Sequence, residues 1–218
     1  MKLQVACDVF DLDEVVRLIE QVGPFVDIIE VGTPLMLSCG VEAIRKLRSH
    51  WPNIPILADA KIADGGYAEA AHCFSAGASY VTALALADNA TIVGCLDAAA
   101  AMHGTMVIDL LCVDDLVARA RALESLGVQC VGVHTGVDSQ AAGRTPLGDL
   151  RAIRATASNM QVSVAGGIGP GNVGQYLAYQ PDIVVVGSAI TGARDPSIEA
   201  AAISQLIHTA NTAKEGAA

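Results

Sequence analysis

Eight short apolar runs recur at near-even spacing along the chain: Leu3–Cys7, Asp27–Val31, Ile54–Ala58, Ser79–Leu84, Thr105–Leu110, Gln129–Val133, Gln161–Val164 and Asp182–Val186. Most are rich in Val and Ile with little polar alternation, the pattern of strands covered on both faces. The segments between them have helical spacing, as in Leu12-Val15-Val16-Leu18-Ile19 and Leu116-Ala120-Leu123-Leu126. Strand and helix alternating eight times predicts an α/β protein built as a single (β/α)8 TIM barrel. A chain of 218 residues, 52% hydrophobic and 17% charged, can cover such a core. An open doubly wound sheet would carry a Gly-rich phosphate turn after its first strand, where this chain has Cys7-Asp8-Val9-Phe10. The barrel is expected over residues 1–208, with 209–218 a frayed tail.

Several function classes fall away on charge and composition. A formal charge of −10 repels a polyanion, no Lys/Arg cluster offsets it, and 4% aromatic content leaves few stacking platforms. Nucleic acid is not expected as a partner. No apolar run approaches the ~20 residues that span a bilayer, and the first strand starts too early for a signal segment, so the expectation is a cytoplasmic protein without membrane contact. Cys7, Cys39, Cys73, Cys95, Cys112 and Cys130 are scattered, with no CxxC pair and no zinc spacing. They read as small buried thiols in a reducing compartment.

Barrel active sites lie at the carboxyl ends of the strands, which turns the list of runs into a map. Strand one ends at Asp8, strand two at Glu30, and strand three at Asp59-Ala60-Lys61-Ile62-Ala63-Asp64. Strand five ends near Asp109 and strand six at His134. The last two end in Ala165-Gly166-Gly167-Ile168 and Gly187-Ser188-Ala189. Strand side chains alternate, so Asp59 and Lys61 point the same way, into the barrel, where charges need partners. They could form a plain ion pair that holds the barrel together. Further acids at neighbouring strand ends favour a site. Glu30 and Asp59, with no adjacent His or Cys, suit a hard cation such as Mg²⁺, although Glu30 could instead pair with Lys61. Asp59 and Asp64, if both near, keep Lys61 protonated and make it an electrostatic stabiliser rather than a Schiff-base amine. His134 is placed to move a proton near neutral pH. Backbone amides exposed at Gly166, Gly167 and Gly187 are suited to a phosphate dianion.

Together these residues resemble the 3-hexulose-6-phosphate synthases, within the orotidine-phosphate decarboxylase-like group that also holds 3-keto-L-gulonate-6-phosphate decarboxylase. The likeness covers nearly the whole chain. It rests on Leu3-Gln4-Val5-Ala6-Cys7-Asp8, Ile29-Glu30-Val31-Gly32-Thr33-Pro34, Asp59-Ala60-Lys61-Ile62-Ala63-Asp64-Gly65-Gly66, His134-Thr135-Gly136-Val137-Asp138-Ser139-Gln140-Ala141-Ala142-Gly143, Val164-Ala165-Gly166-Gly167-Ile168 and Val186-Gly187-Ser188-Ala189. The resemblance implies a reversible aldolase that joins formaldehyde to D-ribulose 5-phosphate through a metal-stabilised enediolate. It implies Glu30 and Asp59 as ligands of Mg²⁺ (Mn²⁺ being a possible substitute), with Asp8, Lys61 and His134 in the site. Asp64 would reach a partner's site across a homodimer, and the backbone at Gly167, Gly187 and Ser188 would hold phosphate. The decarboxylase branch resembles Gly-Arg-Ser after strand eight and has an arginine three residues past the strand-six histidine; here stand Gly187-Ser188 and Val137. Both departures favour the synthase branch, with the decarboxylase and a non-catalytic sugar-phosphate binder as alternatives.

Overall fold

A computed structural model describes residues 1–156 and 159–215 of the chain. Eight strands, β1 (Lys2–Cys7), β2 (Ile28–Val31), β3 (Ile56–Ile62), β4 (Tyr80–Leu84), β5 (Thr105–Asp109), β6 (Cys130–His134), β7 (Gln161–Ala165) and β8 (Ile183–Val186), pair in parallel and in sequence order. β8 returns to β1, with Lys2 opposite Ile183 and Val5 opposite Val186, and closes the barrel. The helices are α1 (Leu12–Val22), α2 (Thr33–Cys39), α3 (Val41–His50), α4 (Gly66–Ser75), α5 (Asn89–Met102), α6 (Leu116–Ser125), α7 (Val137–Ala141), α8 (Leu147–Thr156), α9 (Val173–Leu177), α10 (Ser188–Thr191) and α11 (Pro196–Glu215). The (β/α)8 barrel read from the sequence is therefore the fold.

Strand alternation divides the apolar residues into two separate cores. Leu3, Val5, Cys7, Ile29, Val31, Val184 and Val186 face outward and meet buried helix residues such as Val15, Ile19, Ile44 and Leu47. Ala6, Ile28, Leu57, Val107, Cys130, Ile183 and Val185 fill the barrel interior. Each large side chain so buried contributes about 1.5–3 kcal/mol. The inward set is short of large apolar residues near the carboxyl ends. There it gives way to polar ones, and Gln4, Glu30, Asp59, Thr82, Asp109 and Ser163 are all buried.

Most strand boundaries lie within one residue of expectation, and two elements differ by more. β3 starts at Ile56 rather than Ile54, because the carbonyl of Ile54 accepts a bond from the Arg48 guanidinium at 3.0 Å instead of joining the sheet. It then runs on to Ile62. The C-terminal helix continues past His208 to Glu215, so residues 209–215 are helical rather than frayed. Ala200, Ile203 and Ile207 bury one face of it. Asn211 fastens its far end, accepting from the Met1 amine at 2.8 Å and donating to the Met1 carbonyl at 3.0 Å. Residues 216–218 lie outside the described residues. All six cysteines are free thiols; four are buried, Cys39 is half-buried, and Cys112 is exposed, against the expectation for these last two. Among the described residues no helix is long and apolar enough to cross a membrane.

Candidate active site

The end of β3 bulges. β3 advances from Ala58 to Ile62 while β4 advances only from Val81 to Ala83, and Lys61 adopts a left-handed backbone with φ 47°. This turn brings the Lys61 ammonium onto Oδ2 of Asp59. Asp59 is buried and held from two sides. Thr33 Oγ1 donates to its Oδ2 at 2.7 Å, and Thr82 Oγ1 donates to its Oδ1 at 2.8 Å. Burial would raise the Asp59 carboxyl, but Lys61 and the two hydroxyls outweigh it and hold it below the usual range. Burial likewise pulls the Lys61 amine down, while Asp59, with Asp109 and Glu30 further off, keeps it above its ordinary value. Lys61 is thus a cation.

Glu30, on the neighbouring strand, does not pair with Lys61. Its Oε2 accepts from Gln4 Nε2 at 2.6 Å, while Gln4 Oε1 is buried without a partner. Burial, then the charges of Asp59 and Asp8, push the Glu30 carboxyl well above the ordinary carboxylate range; Gln4 and Lys61 draw it back only in part. Asp8 lies at the exposed rim. Desolvation by neighbouring atoms and the charge of Asp59 raise it, while Lys61 and His134 oppose. Gly32 makes room for Asp8, since a Cβ there would run into Asp8 Oδ1 and come within 2.7 Å of the Cys7 carbonyl.

Across the mouth, His134 Nδ1 lies 2.8 Å from Asp109 Oδ2, and Asp109 Oδ1 accepts from the Leu111 amide at 2.9 Å. Burial alone would lower the imidazole's pKa. The hydrogen bond and charge of Asp109 more than reverse that, so it sits above its ordinary value. With Nδ1 engaged, Nε2 is the nitrogen left for chemistry. Gln140 Nε2 donates to the Thr135 carbonyl at 2.7 Å and steadies the turn after His134.

The two glycine turns adjoin one concavity of about 310 Å³, lined in part by Gly167, Ile168, Gly169, Asn172, Ser188 and Ala189. Gly166 and Gly187 are not among its lining residues; Gly166, at φ 130°, lies against Thr135, where a Cβ would come within 2.7 Å of the Thr135 carbonyl. Asn172 braces the cradle, accepting from the Gly169 amide at 2.8 Å and donating to the Gly167 carbonyl at 2.9 Å. The first amides of α10, beginning at Ser188, have no partner within their own helix.

Residues 1–203 match the profile of the orotidine 5′-phosphate decarboxylase / HUMPS family. The chain belongs to this family. It is 43% identical over 203 residues to 3-hexulose-6-phosphate synthase of Methylomonas aminofaciens, covering 93% of this chain and 97% of that protein. The 1.65 Å crystal structure of 3-hexulose-6-phosphate synthase from Salmonella typhimurium superposes with a TM-score of 0.95 at 46% identity, covering 96% of this chain and all of that one. The 3-keto-L-gulonate-6-phosphate decarboxylase of Vibrio cholerae superposes with a TM-score of 0.85 at 30% identity, covering 95% and 97%. This member of the family is an enzyme.

Of the residues read from the sequence, Asp8, Glu30, Asp59, Lys61 and His134 share the mouth, and Gly167 and Ser188 share the neighbouring concavity. Asp64 does not join them within one protomer. It is exposed, and its carboxylate accepts from the Gly65 amide at 2.7 Å. Lys61 is therefore held protonated by Asp59 without help from Asp64. On α4, Phe74 is buried against the barrel, while Tyr67 and His72 face outward. In the sequence alone Asp109 has a place but no role, and Gln4, Thr33, Thr82 and Asn172 do not stand out as site residues. Gln4 and Thr82 were within reach, because each is a polar residue at an inward position of an otherwise apolar run.

Glu30 and Asp59 offer only hard oxygen donors, and the crowding of Asp8, Glu30 and Asp59 leaves negative charge that a divalent cation would offset. Among the described residues no three His, Cys, Asp or Glu side chains close into a ligand cage. The donor set fits a cation that draws most of its shell from water and substrate, as Mg²⁺ does.

Proposed function

We propose that this enzyme is a carbon–carbon lyase, a 3-hexulose-6-phosphate synthase, which condenses formaldehyde with D-ribulose 5-phosphate to D-arabino-3-hexulose 6-phosphate and also runs in reverse. The observation that carries the reading is a histidine backed by Asp109 facing a lysine backed by Asp59 across one mouth. Aldol chemistry on a ketose needs a base at the carbon beside the carbonyl and a cation for the negative charge that results. His134 Nε2 takes the C1 proton of the sugar, and Asp109 steadies the imidazolium that forms. Lys61 offers its ammonium to the enediolate oxygens. The carbanion adds to formaldehyde, and the proton on His134 is then at hand for the new alkoxide. Glu30 and Asp59 would hold Mg²⁺, or Mn²⁺ in its place, which supplies Lewis-acid polarisation of the substrate oxygens when bound. The backbone at Gly167, Gly187 and Ser188 takes the phosphate and fixes the reacting carbon, a positioning effect worth several kcal/mol in general.

Decarboxylation of 3-keto-L-gulonate 6-phosphate would pass through a similar enediolate. Val137, 76% exposed at the start of α7, and Ser188 stand where that branch resembles arginine, which favours the synthase. The identity to the named synthases, 43–46%, also exceeds the 30% to the Vibrio cholerae decarboxylase. We further propose a cytoplasmic homodimer in which Asp64, exposed beside Tyr67, completes the partner's site; free thiols suit a reducing compartment. Purified protein given ribulose 5-phosphate, formaldehyde and Mg²⁺ consumes formaldehyde, and stops when the metal is chelated. Release of carbon dioxide from 3-keto-L-gulonate 6-phosphate without formaldehyde consumption would replace this reading, and unchanged rates on chelation would remove the metal from it.

A further inference from the structure

We propose that Thr82 is a positioning residue that sets Asp59 and Lys61 as one unit, a role that rests on the reading of those two residues as site groups. Thr82 is 6% exposed on the inner face of β4, opposite Val107 of β5 in the sheet. Among the described residues its side chain alone is hydrogen-bonded to both members of the pair. Its Oγ1 accepts from the Lys61 backbone amide at 2.9 Å and donates to Asp59 Oδ1 at 2.8 Å.

The direction of these bonds is forced. A backbone N–H can only donate, so at Lys61 the Thr82 oxygen is the acceptor, and its own proton must go elsewhere. It goes to Asp59, whose oxygen accepts it. The result is a polarised run from amide to hydroxyl to carboxylate.

The bulge makes this run necessary. Where β3 advances from Ala58 to Ile62 against only Val81 to Ala83, the Lys61 amide loses a regular sheet partner. Its left-handed backbone, at φ 47°, is disfavoured for a residue with a Cβ. Thr82 satisfies the stranded amide and ties the bulge to the carboxylate that receives the ammonium. Thr33 bonds the other oxygen of Asp59 and its carbonyl, but makes no side-chain hydrogen bond to Lys61's backbone. Thr82 therefore couples where the lysine turns to where the carboxylate points.

Thr82→Val keeps the shape and removes the hydroxyl; Thr82→Ser keeps the hydroxyl and removes the methyl. In the Val variant the Lys61 amide, followed by hydrogen–deuterium exchange resolved at residues 59–62, exchanges about tenfold faster, the loss of one hydrogen bond. Its kcat for condensation falls on the order of 10²-fold with KM for ribulose 5-phosphate changed by less than about threefold, as misplacement of reacting groups predicts. The Ser variant stays near wild type in both. Wild-type exchange in Thr82→Val would overturn the proposal, as would a Ser variant as impaired as the Val one. Faster exchange with an unchanged kcat would reduce Thr82 to a structural part and overturn it too. Should the wild-type protein show no aldol turnover, the functional reading fails, while the exchange comparison still decides whether Thr82 sets the pair.

Discussion

Replacing Asp109 by Asn tests the base directly, because the surrounding bonds dictate how the new amide must sit. Asp109 Oδ1 accepts from the Leu111 amide at 2.9 Å, and Oδ2 faces His134 Nδ1 at 2.8 Å. In Asp109→Asn only the amide oxygen can continue to accept from Leu111, so the NH2 group is turned toward His134. Nδ1 must then act as acceptor, and the ring proton moves to Nε2. That is the nitrogen proposed to take the substrate proton, now blocked. General-base catalysis typically contributes 10²–10⁴-fold, and a loss in that range is expected in kcat, with KM for ribulose 5-phosphate little changed because the proposed phosphate cradle is untouched. The assay is exchange of the C1 proton of ribulose 5-phosphate in deuterium oxide without formaldehyde, which isolates the proposed step. The pH dependence gives a second readout. Asp109 holds the His134 pKa above its ordinary value, so the neutral base is gained only as pH rises through that raised value; losing the carboxylate moves the acid limb of the exchange rate to lower pH. Stability shifts with the matching sign. A raised folded-state pKa stabilises fully below the unfolded value of about 6.5 and fades as pH climbs through the folded one, so Asp109→Asn costs more stability at pH 5.5 than at pH 8.5. C1 exchange within threefold of wild type would refute both the tautomer argument and His134 as the base.

Lys61→Met removes the cation proposed to steady the enediolate and is expected to lower kcat at least 10²-fold. It also strands Asp59 as a buried carboxylate, costing about 3–5 kcal/mol by urea unfolding. Gln4→Leu removes an orphaned buried carbonyl and the donor to Glu30 together. Relief of the orphaned carbonyl is offset by the acceptor left unpaired on buried Glu30, so thermal stability changes little, while calorimetric affinity for Mn²⁺ falls about 10–100-fold. Gly32→Ala drives a methyl into Asp8 and the Cys7 carbonyl, with a cost of about 1–3 kcal/mol by urea unfolding and a displaced Asp8 in a crystal structure.

The barrel was readable because its physics is local. A strand covered on both faces must be apolar throughout, and eight such runs leave little choice of fold. The strand-end rule then placed Asp8, Glu30, Asp59, Lys61 and His134 at one mouth, where the structure also has them. It says less about Asp64 and Gly166, which lie past the ends of their strands. Adjacency in sequence to a site says nothing about which way a residue turns once the strand has ended. Asp64 turns onto the Gly65 amide, and Gly166 turns against Thr135. The reach of the C-terminal helix to Glu215 is not legible in the sequence, because Asn211 anchors it on Met1, a contact between residues 210 apart that helical periodicity cannot register.

The order of elements, the inward and outward faces and the identity of the charged groups follow from the amino-acid pattern alone, since side-chain period and burial are properties of neighbouring residues. Which charge meets which was decided only in three dimensions. Glu30 belongs to Gln4 rather than Lys61, Asp109 backs His134, and Thr82 bonds both Asp59 and the turned backbone of Lys61. These pairings depend on barrel register and on one bulge, which shift side chains by a few ångströms, and hydrogen bonds and pKa values are sensitive on that scale.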